Sequence, residues 1–259
     1  LSLDDEFEVS EDAWRRGGTS SGGSTMFLAV HSKVSVRDLL HGVIIQSGND
    51  ACIVLAEGIA GSEEAFSDLM NEKARALGLD SANFKNATGW PDQEHVISAK
   101  DLAKLASYTI SNYPKMYEIY DDKDFTWNGV KQLNRNPLIG AGFPGADGLK
   151  TGHTESAKYG LVGSAVQNGK RRVIVINGVE TSRARRAEAL RMMRSAFAEF
   201  KSYKLYSAGE TIDAAPVFMG KSETVGPISN EDVFSGLHRG QRKGLSAQVR
   251  YDGPIPAPI

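Results

Sequence analysis

The chain has 259 residues, 41% hydrophobic and 24% charged, an ordinary balance for a globular protein long enough to bury a core. Its formal net charge of −2, with acidic and basic residues interspersed, gives no electrostatic case for nucleic acid, and no apolar run approaches the roughly 18 residues of a membrane span. The single cysteine, Cys52, rules out an internal disulfide, and the five histidines show no metal-ligand spacing, so no cofactor is expected.

The acidic start LSLDDEFEVSEDAW lacks the basic and apolar regions of a signal peptide and reads as a mature or trimmed terminus. Residues 17–25, GGTSSGGST, read as a flexible surface loop; no Lys-Ser/Thr follows to make a phosphate cradle. Leu39, Leu40, Val43 and Ile44 recur at helical spacing from Val36, which predicts a helix ending near Gln46. Ser47, Gly48 and Asn49 are turn formers, and a second apolar helix is predicted from Asp50 to Ala60. Ser47 and Asn49 thereby sit at the edge of a core. Cys52, beside Ile53, Val54 and Leu55, reads as a buried small hydrophobe rather than a reactive thiol.

Ser62 is predicted to cap a helix with Phe66, Leu69, Met70 and Leu77 on one face and Gly78 at its end. Residues 83–94 read as loop, and Ser98 caps a further helix carrying Leu102, Leu105, Ala106 and Ile110 as far as Pro114. Two hairpins turn at Asn128-Gly129 and Asn168-Gly169, the second joining Tyr159–Val166 to Arg172–Val179. Ser182 to Lys201 reads as helix. Short β-type runs broken by Gly and Pro follow Tyr203, so the chain divides into residues 1–202 and a small β-rich domain, 203–259, which ends on Pro-rich GPIPAPI and reads as incomplete.

Ser47-Gly48-Asn49 and Lys150-Thr151-Gly152, 103 residues apart, match two of the three elements of penicillin-recognising serine enzymes, S-x-x-K, S-x-N and K-T-G. No Ser stands three positions before any Lys. Each tripeptide alone is weak: Ser-Gly-Asn is common where helices end, and a Lys in a turn before a strand is usually only solvated. Order and setting add specificity, since Asp147-Gly148 precedes the Lys and a hairpin follows it.

The flanking stretches LLHGVIIQSGNDAC (Leu39 to Cys52), LNRN (Leu133 to Asn136) and DGLKTGHT (Asp147 to Thr154) resemble the D-alanyl-D-alanine carboxypeptidases, low-molecular-mass penicillin-binding proteins of the bacterial envelope. The resemblance runs over nearly the whole chain. It implies an α/β fold: a penicillin-binding/β-lactamase-like serine hydrolase domain, with a five-stranded antiparallel sheet flanked by helices, followed by a small all-β domain. It places the S-x-x-K element upstream of Leu1, so the chain is expected to lack its nucleophile and to be inactive alone. It also implies a periplasmic site at the outer face of the cytoplasmic membrane, membrane association through a C-terminal segment not present here, and peptidoglycan stem peptides and β-lactams as partners.

Cleaving a D-Ala-D-Ala bond needs a nucleophile, a base, a proton donor for the leaving amine and an oxyanion site. The resemblance gives the first two to the S-x-x-K element. Ser47 would then be the hydroxyl relay to the departing nitrogen, able to accept and donate at once. Asn49 would bond the substrate's peptide carbonyl. Lys150 would supply positive potential, Thr151 would bond the terminal carboxylate, and Gly152 would let substrate backbone lie close. The His153 backbone N–H would be an oxyanion donor; its side chain has no assigned role. Arg183, Arg185 and Arg186 open the last helix, and Arg suits bidentate carboxylate binding. The resemblance points to Arg185, although any one of the three is equally readable as an exposed basic helix face. Alternatives are a peptidoglycan endopeptidase, a class A β-lactamase, whose Glu loop has no counterpart between residues 80 and 136, and a non-catalytic wall-binding scaffold.

Overall fold

The structure, a computed structural model, describes residues 1–241, 250, 253 and 255–256. They group into two compact units, Leu1–Met193 and Arg194–Ile259.

In the first unit β1 (Glu6–Glu8) pairs antiparallel with β2 (Lys33–Ser35). Ser35 then starts α1 (Val36–His41) as its N-cap, accepting from Asp38 N at 3.1 Å, a bond worth about 1 kcal/mol. The helix continues through a wider five-residue turn, Gly42–Gln46, before α2 (Asn49–Ala60). α3 (Glu63–Ala76) and α4 (Ala99–Asn112) are capped by Ser62 and Ser98, which accept from Ala65 N and Asp101 N. Pro114 opens α5 (Pro114–Tyr117), where its missing N–H costs nothing.

The hairpin of β3 (Asp124–Trp127) and β4 (Val130–Leu133) turns on Asn128 and Gly129, both at positive φ, the requirement of a two-residue primed turn. After α6 (Pro137–Gly140) come β5 (Ala146–Thr154), β6 (Lys158–Gln167) and β7 (Lys170–Val179), an antiparallel sheet in that order, and then α7 (Ser182–Glu199). Two packed regions position the site. Ile53 and Val54 of α2 are buried with Val9, Met26 and Leu39, while Ala106 of α4 and Tyr117 of α5 pack with Leu149 of β5.

Four expectations need correction. Lys150 lies in the middle of β5, not in a turn before a strand; Gly148, Gly152 and the polar residues between them break the alternation by which a strand is recognised. Among the described residues the sheet of β5, β6 and β7 has three strands, not the five implied by the resemblance, and β1 and β2 pair separately with each other. Leu69, placed on the apolar face of α3, is 46% exposed, since that helix buries Ser67 and Ala74 instead. Finally, residues 17–25 are not a mere surface loop: they hold a short 3-10 turn at Thr19–Ser21, and Gly17 and Thr25 are buried.

The second unit is all-β in its regular elements beyond the end of α7. β8 (Phe200–Tyr206) pairs with β11 (Val233–His238), and β9 (Ala215–Phe218) lies between β10 (Thr224–Val225) and β12 (Ile255–Pro256). α7 ends at Glu199, so Phe200 and Lys201 belong to β8 rather than to the helix. Most of the Pro-rich end lies outside the described residues.

Candidate active site

A cleft of about 1380 Å³ opens in the first unit between the start of α2, the strand β5 and two loops. The sequence reading named six residues that line it: Ser47, Asn49, Lys150, Thr151, Gly152 and His153.

Ser47 follows the wide turn Gly42–Gln46 in the left-handed conformation, φ 60° and ψ 36°, and Gly48 N closes the end by donating to Gly42 O at 2.9 Å. For a residue with a Cβ that conformation costs about 1 kcal/mol, and its effect is to turn the Ser47 hydroxyl out of the helix toward the cleft. Lys150 Nζ donates to Ser47 Oγ at 2.8 Å and to Thr151 O at 2.9 Å. Burial holds the Lys150 ammonium down to about 8; Cys52 opposes that shift, and the charges of Arg135 and Arg185 add to it. Burial likewise pushes the Cys52 thiol up to about 12, so this half-buried residue stays protonated at neutral pH although it lines the cleft.

Asp50 fixes the opposite wall. Its carboxylate is wholly buried and accepts from Thr25 Oγ1 (2.7 Å), Met26 N (2.8 Å), Leu28 N (3.1 Å) and Ala51 N (3.0 Å). The Gly/Ser-rich segment is thereby strapped to the first turn of α2. Asn49 N adds a bond to Ser24 O at 2.9 Å. Arg135, inside the LNRN stretch, lines the same cleft and donates from Nη1 to Ser24 Oγ at 2.6 Å. The other wall is the 83–97 loop, held by Asn71, which donates to Phe84 O and accepts from Phe84 N, and by Glu63, which accepts from Ala87 N.

β5 is anchored from behind. Arg171 Nη1 donates to both Asp147 carboxylate oxygens, at 2.8 and 2.6 Å, and to Ser164 Oγ at 2.6 Å, while Tyr117 OH donates to Asp147 Oδ1 at 3.0 Å. This fixes the strand three residues before Lys150.

Arg185 does not line the cleft. It is buried in the first turn of α7, with Nη1 donating at 3.3 Å to Gly152 O and to Gly160 O and its guanidinium over the Tyr159 ring. The His153 ring stacks on Tyr159 at 4.0 Å between centroids. Sequence reasoning passed over Arg135, Asp50 and the 22–25 segment as site components. For Arg135 the LNRN stretch was a signal; for Asp50, a carboxylate directly after the tripeptide in an apolar helix was another. Among the described residues no three His, Cys, Asp or Glu side chains gather to hold a metal ion, and no helix is long and apolar enough to cross a membrane.

Comparison with known proteins gives two family matches: the D-alanyl-D-alanine carboxypeptidase family over residues 1–181, and the penicillin-binding protein 5 C-terminal domain over residues 200–259. The chain is 36% identical over 253 residues to D-alanyl-D-alanine carboxypeptidase DacA of Escherichia coli K12, covering 97% of this chain and 63% of that protein. It is 38% identical to DacC of the same organism, covering 100% of this chain and 65% of the relative. The chain thus spans less than two thirds of the length of these curated relatives. The solved structure of penicillin-binding protein 5 from Haemophilus influenzae superposes with a TM-score of 0.83 at 36% identity, covering 100% of this chain and 75% of that one.

Proposed function

The chain belongs to the D-alanyl-D-alanine carboxypeptidase family, and from that premise we propose that the whole protein is a serine-type hydrolase removing the terminal D-Ala from peptidoglycan stem peptides through an acyl-enzyme. One observation carries the reading: the Lys150–Ser47 hydrogen bond, inside a cleft lined by both motifs.

The nucleophilic serine belongs to the S-x-x-K element, which these 259 residues do not contain. Its hydroxyl gives its proton to the lysine of that element as the oxygen attacks the carbonyl of the penultimate D-Ala; the peptide C–N bond breaks, and that proton is passed on through Ser47 to the departing amine. Ser47 Oγ delivers it, being a hydroxyl that can donate to the amine while its oxygen accepts from Lys150 Nζ. Water then hydrolyses the ester. The protonated Lys150 makes the cleft positive and favours the Ser47 alkoxide character that the transfer requires.

Asn49, at the lip of α2, bonds the substrate peptide. Thr151 takes one oxygen of the terminal carboxylate. Arg135 presents its guanidinium in the cleft, and Arg185 adds charge from behind Gly152. A Cβ placed on Gly152 would meet nothing within 4 Å, so any side chain there would fill cleft space that substrate backbone needs. The His153 N–H serves as an oxyanion donor, and its ring, stacked on Tyr159, stiffens the strand end.

β-Lactams, which carry a carboxylate beside a strained amide, fit the same groups and would trap the enzyme as an ester. A protein acting on stem peptides would work at the bacterial cell wall, on the outer face of the cytoplasmic membrane. The test is the intact mass of the whole protein after penicillin treatment. One penicilloyl adduct, lost when Ser47 is replaced by Ala, supports the reading. No adduct on a folded sample overturns it in favour of a non-catalytic wall-binding protein.

A further inference from the structure

The cleft is larger than a D-Ala-D-Ala terminus needs. Pockets for drug-sized ligands run to about 300–1,000 Å³, and this one holds about 1380 Å³. An enzyme that removes a C-terminal residue binds the rest of its ligand on the amino side of the bond it breaks. The remaining space therefore belongs to whatever precedes the D-Ala-D-Ala. Its lining is not all polar: Phe27, Trp90, Pro91, Val96 and Ile97 face the same cleft as Ser47 and Lys150.

Phe27 is turned toward the cleft against its own backbone preference. Its φ is 64°, in the left-handed region that a bulky side chain rarely adopts. Met26 and Leu28 on either side are buried, while Phe27 is 42% exposed. Asp50 is the cause: its two carboxylate oxygens accept from Met26 N and Leu28 N, and Thr25 Oγ1 accepts from Phe27 N at 3.0 Å. With both neighbours drawn inward, the residue between them turns its ring out of the core. Backbone strain of this kind persists where the surroundings fix it, and ligand clamps are one such place.

Trp90, on the 83–97 wall, is held as firmly. Asn86 brackets it, accepting from Trp90 N at 3.0 Å and donating from Nδ2 to Trp90 O at 3.1 Å. The Arg16 guanidinium lies 5.6 Å from the centre of the indole. Arg16 is itself fixed by Asp12 and Glu63, each at 2.8 Å, and Glu63 also accepts from Ala87 N of the same wall at 3.0 Å. The indole packs against the core cluster that holds Met26 and Leu28, yet it stays only half-buried and lines the cleft. Two aromatic side chains fixed in this way are organised in advance to enclose an apolar group.

We propose that Phe27 and Trp90 form an apolar subsite for the side chain or acyl group that precedes the D-Ala-D-Ala terminus, and that this subsite selects ligands by apolar bulk at that position. Arg16, with Glu63, is a positioning residue for the Trp90 ring. The proposal rests on the hydrolytic reading of the cleft and adds to it the side of the bond on which selectivity is exercised. A short polar group there gains little from two aromatic faces. An aromatic or long aliphatic group removes from water its own surface together with that of Phe27 and of Val96, which is 50% exposed.

The test is hydrolysis of acetyl-D-Ala-D-Ala and phenylacetyl-D-Ala-D-Ala by the whole protein, read as kcat/KM for each. The phenylacetyl peptide should be favoured about tenfold or more, mainly through a lower KM, as partial burial of a phenyl ring predicts. In Trp90→Ala and in Phe27→Asn that ratio should fall toward one. Asparagine tolerates the left-handed backbone at position 27, so the second variant keeps the fold, and thermal melts check it. Arg16→Met should lower the ratio in part and raise acrylamide quenching of the Trp90 fluorescence, identified by its loss in Trp90→Phe. A ratio near one in the parent, or a ratio unchanged in both Trp90→Ala and Phe27→Asn, overturns the subsite and leaves the hydrolytic reading standing. Cleavage of neither peptide overturns that reading, and the subsite with it.

Discussion

Lys150 Nζ donates to Ser47 Oγ at 2.8 Å across 103 residues of chain. The bond joins a residue in the middle of β5 to one at the left-handed end of the wide turn before α2. Few other contacts depend on it, because Lys150 Nζ keeps Thr151 O as a second acceptor. Ser47→Ala should therefore abolish penicillin acylation of the whole protein while changing stability by less than about 1 kcal/mol. Stopped-flow acylation and urea melts of the same samples decide it; normal acylation rates would remove Ser47 from the mechanism.

The Lys150 ammonium titrates at about 8, below its ordinary value, chiefly through burial. If its charge is what binds carboxylate and activates Ser47, acylation should fall as pH rises through 8. Lys150→Arg keeps the charge, so in that variant the alkaline fall should disappear, whatever its rate at neutral pH. The stability sign is opposite. The lysine is easier to protonate when unfolded, so its destabilising contribution is complete below pH 8 and is relieved as pH rises from 8 toward 10.5. A pH series of acylation rates alongside thermal melts separates the two effects.

The helices around Ser47 were legible because local signals and burial agree there: Ser62 and Ser98 are caps, Leu39 and Ile44 of the pattern Leu39, Leu40, Val43 and Ile44 are buried, and so are Ile53 and Val54 of the second apolar helix. The Asn168-Gly169 hairpin was legible for the same reason. β5 was not, since glycine and polar residues face the cleft where a strand pattern asks for alternation. Among site residues, those inside short motifs were visible. Arg135 and Arg185 were harder to place, because which surface a guanidinium reaches depends on packing between distant segments. Arg135 came to the cleft through Ser24, 111 positions away, and Arg185 was drawn to the carbonyls of Gly152 and Gly160.

Gly17 fixes how closely the N-terminal segment approaches α2. A Cβ there would lie 2.4 Å from Asp50 N and 2.5 Å from Asp50 Cα, which are backbone atoms and cannot swing aside. Gly17→Ala should lower stability by about 1–3 kcal/mol through overpacking, even though alanine usually lowers the entropy lost on folding by less than that. Because the displaced atoms begin the turn that carries Asn49, acylation should slow as well. An unchanged urea midpoint would show that the two segments separate freely.

Asp50 holds the cleft's Gly/Ser-rich wall through one buried carboxylate with four donors, two of them the backbone N–H groups of Met26 and Leu28. Asp50→Ala leaves Thr25 Oγ1 and both N–H groups buried without an acceptor. Bonds to a charged group contribute about 1.5–3 kcal/mol each, and partial rearrangement recovers some of that, so a loss of about 3–5 kcal/mol is expected. Asp50→Asn is the sharper probe. It keeps the volume and one acceptor oxygen but turns an N–H₂ toward donors, so it should fold with a smaller loss. Its segment 22–28 should exchange amide hydrogens faster than in the parent while β5 to β7 stay protected. Equal exchange at Met26 and Leu28 in both proteins would mean that the carboxylate does not hold this wall.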